Sequence, residues 1–358
     1  MTPMTISVRR ATTADRPAWD AFVASRPEGD LLQAWAWGEC TALAGEPPIR
    51  VLAEEAGRIR GVAQALMRPA GARRTVAYVA HGPVWDRAAP DADAILDALV
   101  AGLQELARDE RAVVVKLDPR AEPGDDLEIG AALLRRGLRP ADDLQAPTTR
   151  IVDLRGGPDS LAVAWHPDAR RLSRRSEREG VEVIIDRAGD AAAIATLHDL
   201  LTVTADRSAF RVRGLDFLQR LANELSAGNG WYLGIAWADG TPIAAMAFPV
   251  IGSRAYYMYG ASLREEEWKH KYGAHATMAA MLRTLAADGV RSVDMWGVIE
   301  PGDATADPSW EGFSAFKRTF GGTALRHPGL FDLVTEPIWY RVRQARRATL
   351  DRLSRSGR

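Results

Sequence analysis

The sequence predicts an α/β protein made of two tandem copies of one unit. Three observations carry this. The 358 residues exceed what a single core usually spans. A set of apolar strands, a helix-periodic stretch and a further strand occurs twice in the same order. The two occurrences keep one spacing, about 180 residues, from the first element to the last.

The first copy opens with "IRVLAEEAGRIRGVAQALMRP" and "RRTVAYVAHGPVWD", which read as three strands separated by glycine-containing turns. Next comes "DAILDALVAGLQELARDE", where Ile95, Leu96, Leu99, Leu103 and Leu106 recur on one side of a helix. "AVVVKLDP" then reads as a buried strand. The second copy supplies "GWYLGIAWADGTPIAAMAFPV", "SRAYYMYGAS", the helix "AHATMAAMLRTLAADG" and the strand "VRSVDMWGV". Val62 and Ala63 answer Ile243 and Ala244, and the strand at Val113 answers that at Ser292. Between the copies, "GGPDS" (Gly156 to Ser160) reads as a turn into a helix. Antiparallel strands followed by a helix crossing to another strand are the order of GNAT-type N-acyltransferases. The expected fold class is therefore α/β, with two tandem GNAT-like acyltransferase domains related by internal duplication.

Composition narrows the function classes. At 47% hydrophobic and 26% charged, the chain has an ordinary globular make-up. A net charge of -1 supplies no global field for nucleic acid or membrane, so such partners would have to meet local patches. The single cysteine, Cys40, excludes a disulfide framework and a cysteine-rich zinc site, and fits a reducing compartment. His81, His166, His198, His270, His275 and His327 show no metal-ligand spacing, so no metal is expected. With no signal-like apolar core and no run of 18 apolar residues, a cytoplasmic location is expected.

Seven segments in one order carry a family resemblance. They are "LLQAWAWGE" (from Leu31), "YVAHGPVWD" (from Tyr78), "QAPTTRIVDL" (from Gln145), "TADRSAF" (from Thr204), "YYMYGAS" (from Tyr256), "DMWGV" (from Asp294) and "GFSAFKRTFGG" (from Gly312). The chain resembles the Fem family of aminoacyltransferases, which add amino acids from aminoacyl-tRNA to peptidoglycan precursors. The resemblance implies two GNAT-like domains with a final segment returning to the first. Residues 1–150, completed by 311–345, would bind the precursor; 151–310 would form the second domain, and 346–358 a basic tail. "RRLSRRSEREGVEVI" passes directly into "GDAAAIATLHDLLTVTADR", leaving no room for the coiled-coil arm of some members. The implied reaction moves an amino acid from aminoacyl-tRNA to the stem-peptide side-chain amine of UDP-MurNAc-pentapeptide or lipid II. It needs no cofactor, aminoacyl-tRNA being a co-substrate, and it allows peripheral contact with the inner membrane face. One departure stands out: where the family often has a lysine after Gln-x-x-x-Trp, aligned here at Gln33 and Trp37, this chain has Thr41.

Such a transfer needs a neutral acceptor amine, alignment of the reactants and stabilisation of a tetrahedral oxyanion. In "EGFSAFKRTFGG", helical spacing puts Phe313, Phe316, Phe320 and Lys317 on one face, with Arg318 pointing away. Lys317 is read as a cation near the developing oxyanion or the terminal phosphate and ribose of tRNA, facing a cleft between the domains. The plain alternative is a snorkelling side chain. Asp118 in "KLDPR" and Asp294 in "DMWGV" end the matching crossover strands. A carboxylate there either helps remove or orient the amine proton, or caps the following turn. Capping is preferred for Asp118, while both roles stay open for Asp294, the second catalytic candidate. The resemblance places Arg207 near precursor phosphates and adds Tyr256, Tyr259, Gln33, Trp37 and Phe316 as substrate contacts, Tyr259 fitting better than Tyr256.

A coenzyme A site needs a glycine-rich turn at a helix start. "KHKYGAHAT" has one glycine and "RAAPDADAIL" none, which favours a tRNA-borne donor. The arginines of "ARRLSRRSER" and "YRVRQARRATLDRLSRSGR" suit RNA phosphates or an anionic membrane surface. Two other readings remain: a coenzyme-A-dependent N-acyltransferase, and a non-catalytic precursor- or RNA-binding module.

Overall fold

The computed structural model describes the backbone of residues 6–208, 212–302 and 308–356, with side chains except at 206–208, 308, 348 and 350–356. It divides into two units, Met1–Leu144 with His327–Arg358, and Gln145–Arg326.

The first unit contains strands β1 (Ser7–Arg10), β2 (Pro48–Glu55), β3 (Arg58–Gly71), β4 (Arg74–Ala80), β5 (Val84–Trp85), β6 (Ala112–Asp118) and β7 (Arg139–Ala141). Its first four helices are α1 (Arg16–Ser25), α2 (Trp35–Leu43), α3 (Ala92–Asp109) and α4 (Asp126–Arg135). β2, β3 and β4 form an antiparallel meander, and α3 then crosses so that β6 runs parallel to β4. The helical period read from the sequence is what seats α3: Ile95, Leu96, Leu99, Leu103 and Leu106 are all buried in the core with Val79, Val115 and Leu117.

The second unit begins with β8 (Thr148–Asp153), α5 (Leu161–Ala164), α6 (Pro167–Arg178), β9 (Glu182–Asp186), α7 (Ala191–Ser208) and α8 (Leu215–Ser226). It continues with β10 (Leu233–Ala238), β11 (Thr241–Ala247), β12 (Val250–Ile251), β13 (Arg254–Tyr256) and β14 (Tyr259–Ser262). α9 (Glu266–Lys269), α10 (Gly273–Ala287), β15 (Ser292–Asp294), α11 (Glu311–Arg318) and β16 (Thr323–Arg326) complete it. The strands form two sheets, ordered β14-β11-β10-β9 and β12-β13-β15-β8-β16. α10 crosses so that β13 and β15 run parallel, repeating the β4–α3–β6 crossover of the first unit. β9 reaches α7 through residues 187–190, with no arm inserted there.

Two expectations change. "SRAYYMYGAS" is not one strand. Tyr257 N donates to Asp294 O at 2.8 Å and Met258 N to Ala247 O at 3.3 Å, so the chain leaves one sheet for the other between Tyr256 and Tyr259. The return to the first unit also starts later than residue 311. β16 pairs antiparallel with β8, Leu325 opposite Thr149, which keeps α11 and β16 in the second unit. From His327 the chain returns, places β17 (Leu330–Val334) between β6 and β7, and ends its described part in α12 (Pro337–Ser356). No helix among the described residues is long and apolar enough to cross a membrane.

Gln33, expected as a substrate contact, is committed to backbone groups in this structure. It is wholly buried, its Nε2 donates to Ala80 O at 2.7 Å, and its Oε1 accepts Gln64 N at 2.8 Å. Gln64 Nε2 in turn donates to Leu32 O and Ala34 O at 3.1 and 3.0 Å. This amide ladder ties the start of α2 to β3 and β4, and Trp37 on α2 is buried. Thr41 is likewise buried and donates to Gly38 O at 3.1 Å. Replacing Gln33 by Leu leaves Ala80 O and Gln64 N without these partners. We expect a loss of about 2 kcal/mol or more in urea unfolding; an unchanged midpoint would contradict the role.

Candidate functional site

α11 is a short helix whose buried line is Ser314 and Lys317, continued past its end by Phe320. The predicted aromatic face is only partly right. Phe313 is 39% exposed, and Phe316 packs edge-on against His275 and Phe320 at 5.2 and 5.4 Å between ring centres. Phe316 is thus half-buried and packed against the core of the second unit. Arg318 does not point clear of the fold: it donates to Ile299 O at 2.5 Å and pairs with Glu311 at 2.5 Å.

Lys317 is 7% exposed, and its Nζ donates to Gly297 O at 2.8 Å. The rings of Phe313 and Tyr257 lie 4.9 and 5.5 Å from the same nitrogen. Both contacts favour the charged form, the second kind through the negative face of the ring. Burial works against them: removing the ammonium from water pushes the Lys317 pKa down to about 7, with the Asp294 carboxylate opposing that fall. Lys317 thus changes charge near neutral pH.

The acceptor of this bond is set by the turn after β15. Asp294 is buried, and its Oδ1 accepts Trp296 N at 2.7 Å, closing the turn two residues on. Thr149 of β8 donates its hydroxyl to the same oxygen. Trp296 adopts φ +60°, a left-handed conformation that aims the following Gly297. Gly297 has no room for a side chain, since a Cβ would meet Ala146 Cβ at 2.5 Å and Trp310 Cζ3 at 2.9 Å. Ile299 N donates to Ser314 Oγ at 3.0 Å, so α11 holds this loop through Ser314, Lys317 and Arg318 together. Asp294 accordingly performs the turn-capping role left open by the sequence, and also carries the negative charge beside Lys317.

The other predicted residues scatter. Tyr256 is fully buried against Trp296, rings 6.1 Å apart, while Tyr259 opens β14 half-buried. Arg207 lies in the last turn of α7, but its side chain is outside the described residues. Asp118, at the end of β6, accepts Tyr78 OH at 2.8 Å, and burial raises its pKa. Tyr257, which sequence reading missed, lies between Lys317 and Phe248, stacked on the latter at 5.2 Å. Its burial raises the phenol pKa, so it stays neutral and keeps its hydroxyl proton to donate. Its signal was the second tyrosine of "YYMYG", indistinguishable from its neighbours by spacing.

At the start of α10, Tyr272 has φ +54°, and Gly273 sits where a Cβ would meet Ile243 Cδ1 at 2.8 Å. The glycine there serves close packing on β11. On α6, Ala169, Ser173 and Ser176 turn inward, Ser176 Oγ donating to Lys271 O at 2.6 Å, which leaves Arg171, Arg174 and Arg178 exposed. Among the described residues no cluster of three or more His, Cys, Asp or Glu is arranged to hold a metal.

Residues 167–318, from α6 to the end of α11, match the acetyltransferase (GNAT) domain family. Similar curated proteins include the lipid II:glycine glycyltransferase of Staphylococcus aureus, 23% identical over 91% of this chain and 93% of that protein. That of Staphylococcus epidermidis is 24% identical over 91% and 93%. Among solved structures, FemX matches with a TM-score of 0.82 at 21% identity, over 94% of this chain and 99% of that one. The Fem resemblance read from the sequence is borne out. A tandem GNAT protein from the clavulanic acid biosynthesis pathway matches with a TM-score of 0.54 at 13% identity, over 92% and 98%. The tandem GNAT-like fold class holds with it.

Two outcomes follow from the Lys317 environment. The unfolded lysine titrates near 10.5 and the folded one near 7. Between those values the unfolded chain holds the extra proton, so stability rises with pH, by up to about 1.4 kcal/mol per unit. Urea unfolding of the protein should show this slope between pH 7 and 10, and Lys317→Met should remove it; equal slopes would refute the buried ammonium. Gly297→Ala should cost about 1–3 kcal/mol through the clash with Ala146 and Trp310. An unaltered thermal midpoint would show that the turn yields freely.

Proposed function

We propose that the chain transfers an aminoacyl group from an ester on tRNA to the side-chain amine of a peptidoglycan-precursor stem peptide. Lipid II is the acceptor and glycine the donor residue to test first, because the similar staphylococcal proteins are named for that pair. The observation that carries the chemistry is the buried Lys317 ammonium held on Gly297 O. The acceptor amine attacks the ester carbonyl, a C–N bond forms, and negative charge gathers on the carbonyl oxygen. The C–O bond to the terminal ribose then breaks, the ribose hydroxyl takes up a proton, and the attacking nitrogen releases one. Lys317 acts by lending its positive charge to the oxyanion in a water-poor setting, where such a donor is worth about 10²- to 10³-fold. Asp294 is a positioning residue that closes the turn presenting Gly297. The exposed arginines of α6 supply cations suited to an RNA backbone.

Pairing purified protein with lipid II and glycyl-tRNA tests this by mass spectrometry. The expected product is lipid II heavier by one glycine residue, formed about a hundred-fold or more slowly by Lys317→Met. The GNAT family match keeps one competitor in view, so acetyl-coenzyme A is run in parallel. Acetylation of an amine with no aminoacyl transfer would replace the proposal with the coenzyme A reading.

The pH profile adds a second check. Below about pH 7 Lys317 is charged, and the rate should climb as the acceptor amine loses its proton. Above it, loss of the Lys317 charge offsets the growing neutral-amine fraction, so the profile should level off. The residual rate of Lys317→Met should keep climbing. A wild-type profile that also climbs without a plateau would remove Lys317 from the transition state.

A further inference from the structure

α12 presents two unlike faces. Inward, Tyr340 OH donates to Asp332 Oδ2 at 2.9 Å, and Gln344 Nε2 donates to Tyr340 OH at 2.8 Å. Asp332 is itself buried and paired with Lys116 Nζ at 2.5 Å. This fixes which side of α12 meets β17 and β6. At about 100° per residue, Ile338 and Val342 lie opposite Tyr340 and Gln344. They are 77% and 52% exposed. Trp339, 37% exposed, sits beside them with the Arg74 guanidinium 4.1 Å from its ring.

Cations border this apolar crest on both sides. Arg341 lies on one flank and Arg343 and Arg346 on the other, all exposed. Arg347, further round, pairs with Asp142 at 3.4 Å. No Asp or Glu occurs between Glu336 and Asp351. Two exposed aliphatic side chains, an indole and bordering arginines are the make-up of a helix that lies in a membrane interface. RNA phosphates would account for the arginines but give Ile338 and Val342 nothing to bury against.

We propose that the outer face of α12 docks on an anionic lipid bilayer, with Ile338, Trp339 and Val342 at the headgroup boundary and the arginines on lipid phosphates. The contact is independent of the acyl-transfer reading, since it requires neither donor nor acceptor. It would hold the enzyme at a surface where a lipid-linked acceptor is concentrated.

The test is co-sedimentation of the full chain with vesicles of equal parts phosphatidylcholine and phosphatidylglycerol, and with phosphatidylcholine alone. The protein should partition to the mixed vesicles and far less to the neutral ones. Ile338→Ser with Val342→Ser should weaken partitioning about ten-fold, and Arg343→Gln with Arg346→Gln by a similar factor or more. All four positions are exposed, and a thermal melt equal to that of the parent establishes that each variant is folded. Absence of vesicle binding, or binding that ignores the Ile338 and Val342 changes, overturns the proposal. A short single-stranded RNA is the competing probe: binding it through the arginines, with no vesicle binding, would reassign the face to nucleic acid.

Discussion

The second unit is organised around one ammonium group removed from water. Lys317 is a helix residue whose charge has nowhere to hydrate, and Gly297 O is its hydrogen-bond partner among the described residues. Each neighbouring feature serves to put that carbonyl in place. Asp294 closes the turn, Trp296 takes a left-handed conformation, and Gly297 forgoes a side chain that Ala146 and Trp310 would not admit. The same contacts bind α11 to the loop. A buried cation destabilises the fold unless it is paired and hydrogen-bonded. Here the compensation is partial, which is why the lysine titrates near neutrality.

Duplication supplied the frame, and the two copies then diverged. Both carry a parallel crossover, and both end the crossover strand in a buried aspartate, Asp118 and Asp294. In the first copy the carboxylate accepts a tyrosine hydroxyl. In the same unit, Asp30 lies between Arg120 and His81 at 2.8 and 3.0 Å, and these neighbours hold its carboxyl well below the usual range against the cost of burial. In the second copy the aspartate instead shapes a turn and faces a lysine. The sites differ because the chain after each strand differs: one leads to α4, the other to α11.

The parts of this structure set by local pattern were legible in the sequence. α3 and α10 followed from helical period, β6 from its unbroken apolar run, and the repeated order from spacing. Lys317 could be singled out because a lone ammonium on an apolar stripe is anomalous at any position. What escaped depends on contacts distant in sequence. Gly297 lies twenty residues from Lys317, and nothing about a glycine marks its carbonyl as an acceptor. "YYMYG" looked like one strand because the switch between sheets is made by hydrogen bonds to Asp294 and Ala247. Gln33 looked like a substrate contact, since a glutamine committed to buried backbone groups has the same letter as one that greets a ligand. The burial of Phe316 and Tyr256 was hidden for a related reason: family position says little about which way a ring is turned.

The central claim, a Lys317 ammonium poised near neutrality, is open to direct observation because the chain contains only four lysines, Lys116, Lys269, Lys271 and Lys317. Protein grown with isotope-labelled lysine can be titrated by NMR while following the carbon next to each amine. The account predicts one signal that titrates near pH 7 and disappears in Lys317→Met. Four signals that all titrate near the ordinary lysine value would contradict it, returning Lys317 to the role of a solvated, snorkelling side chain.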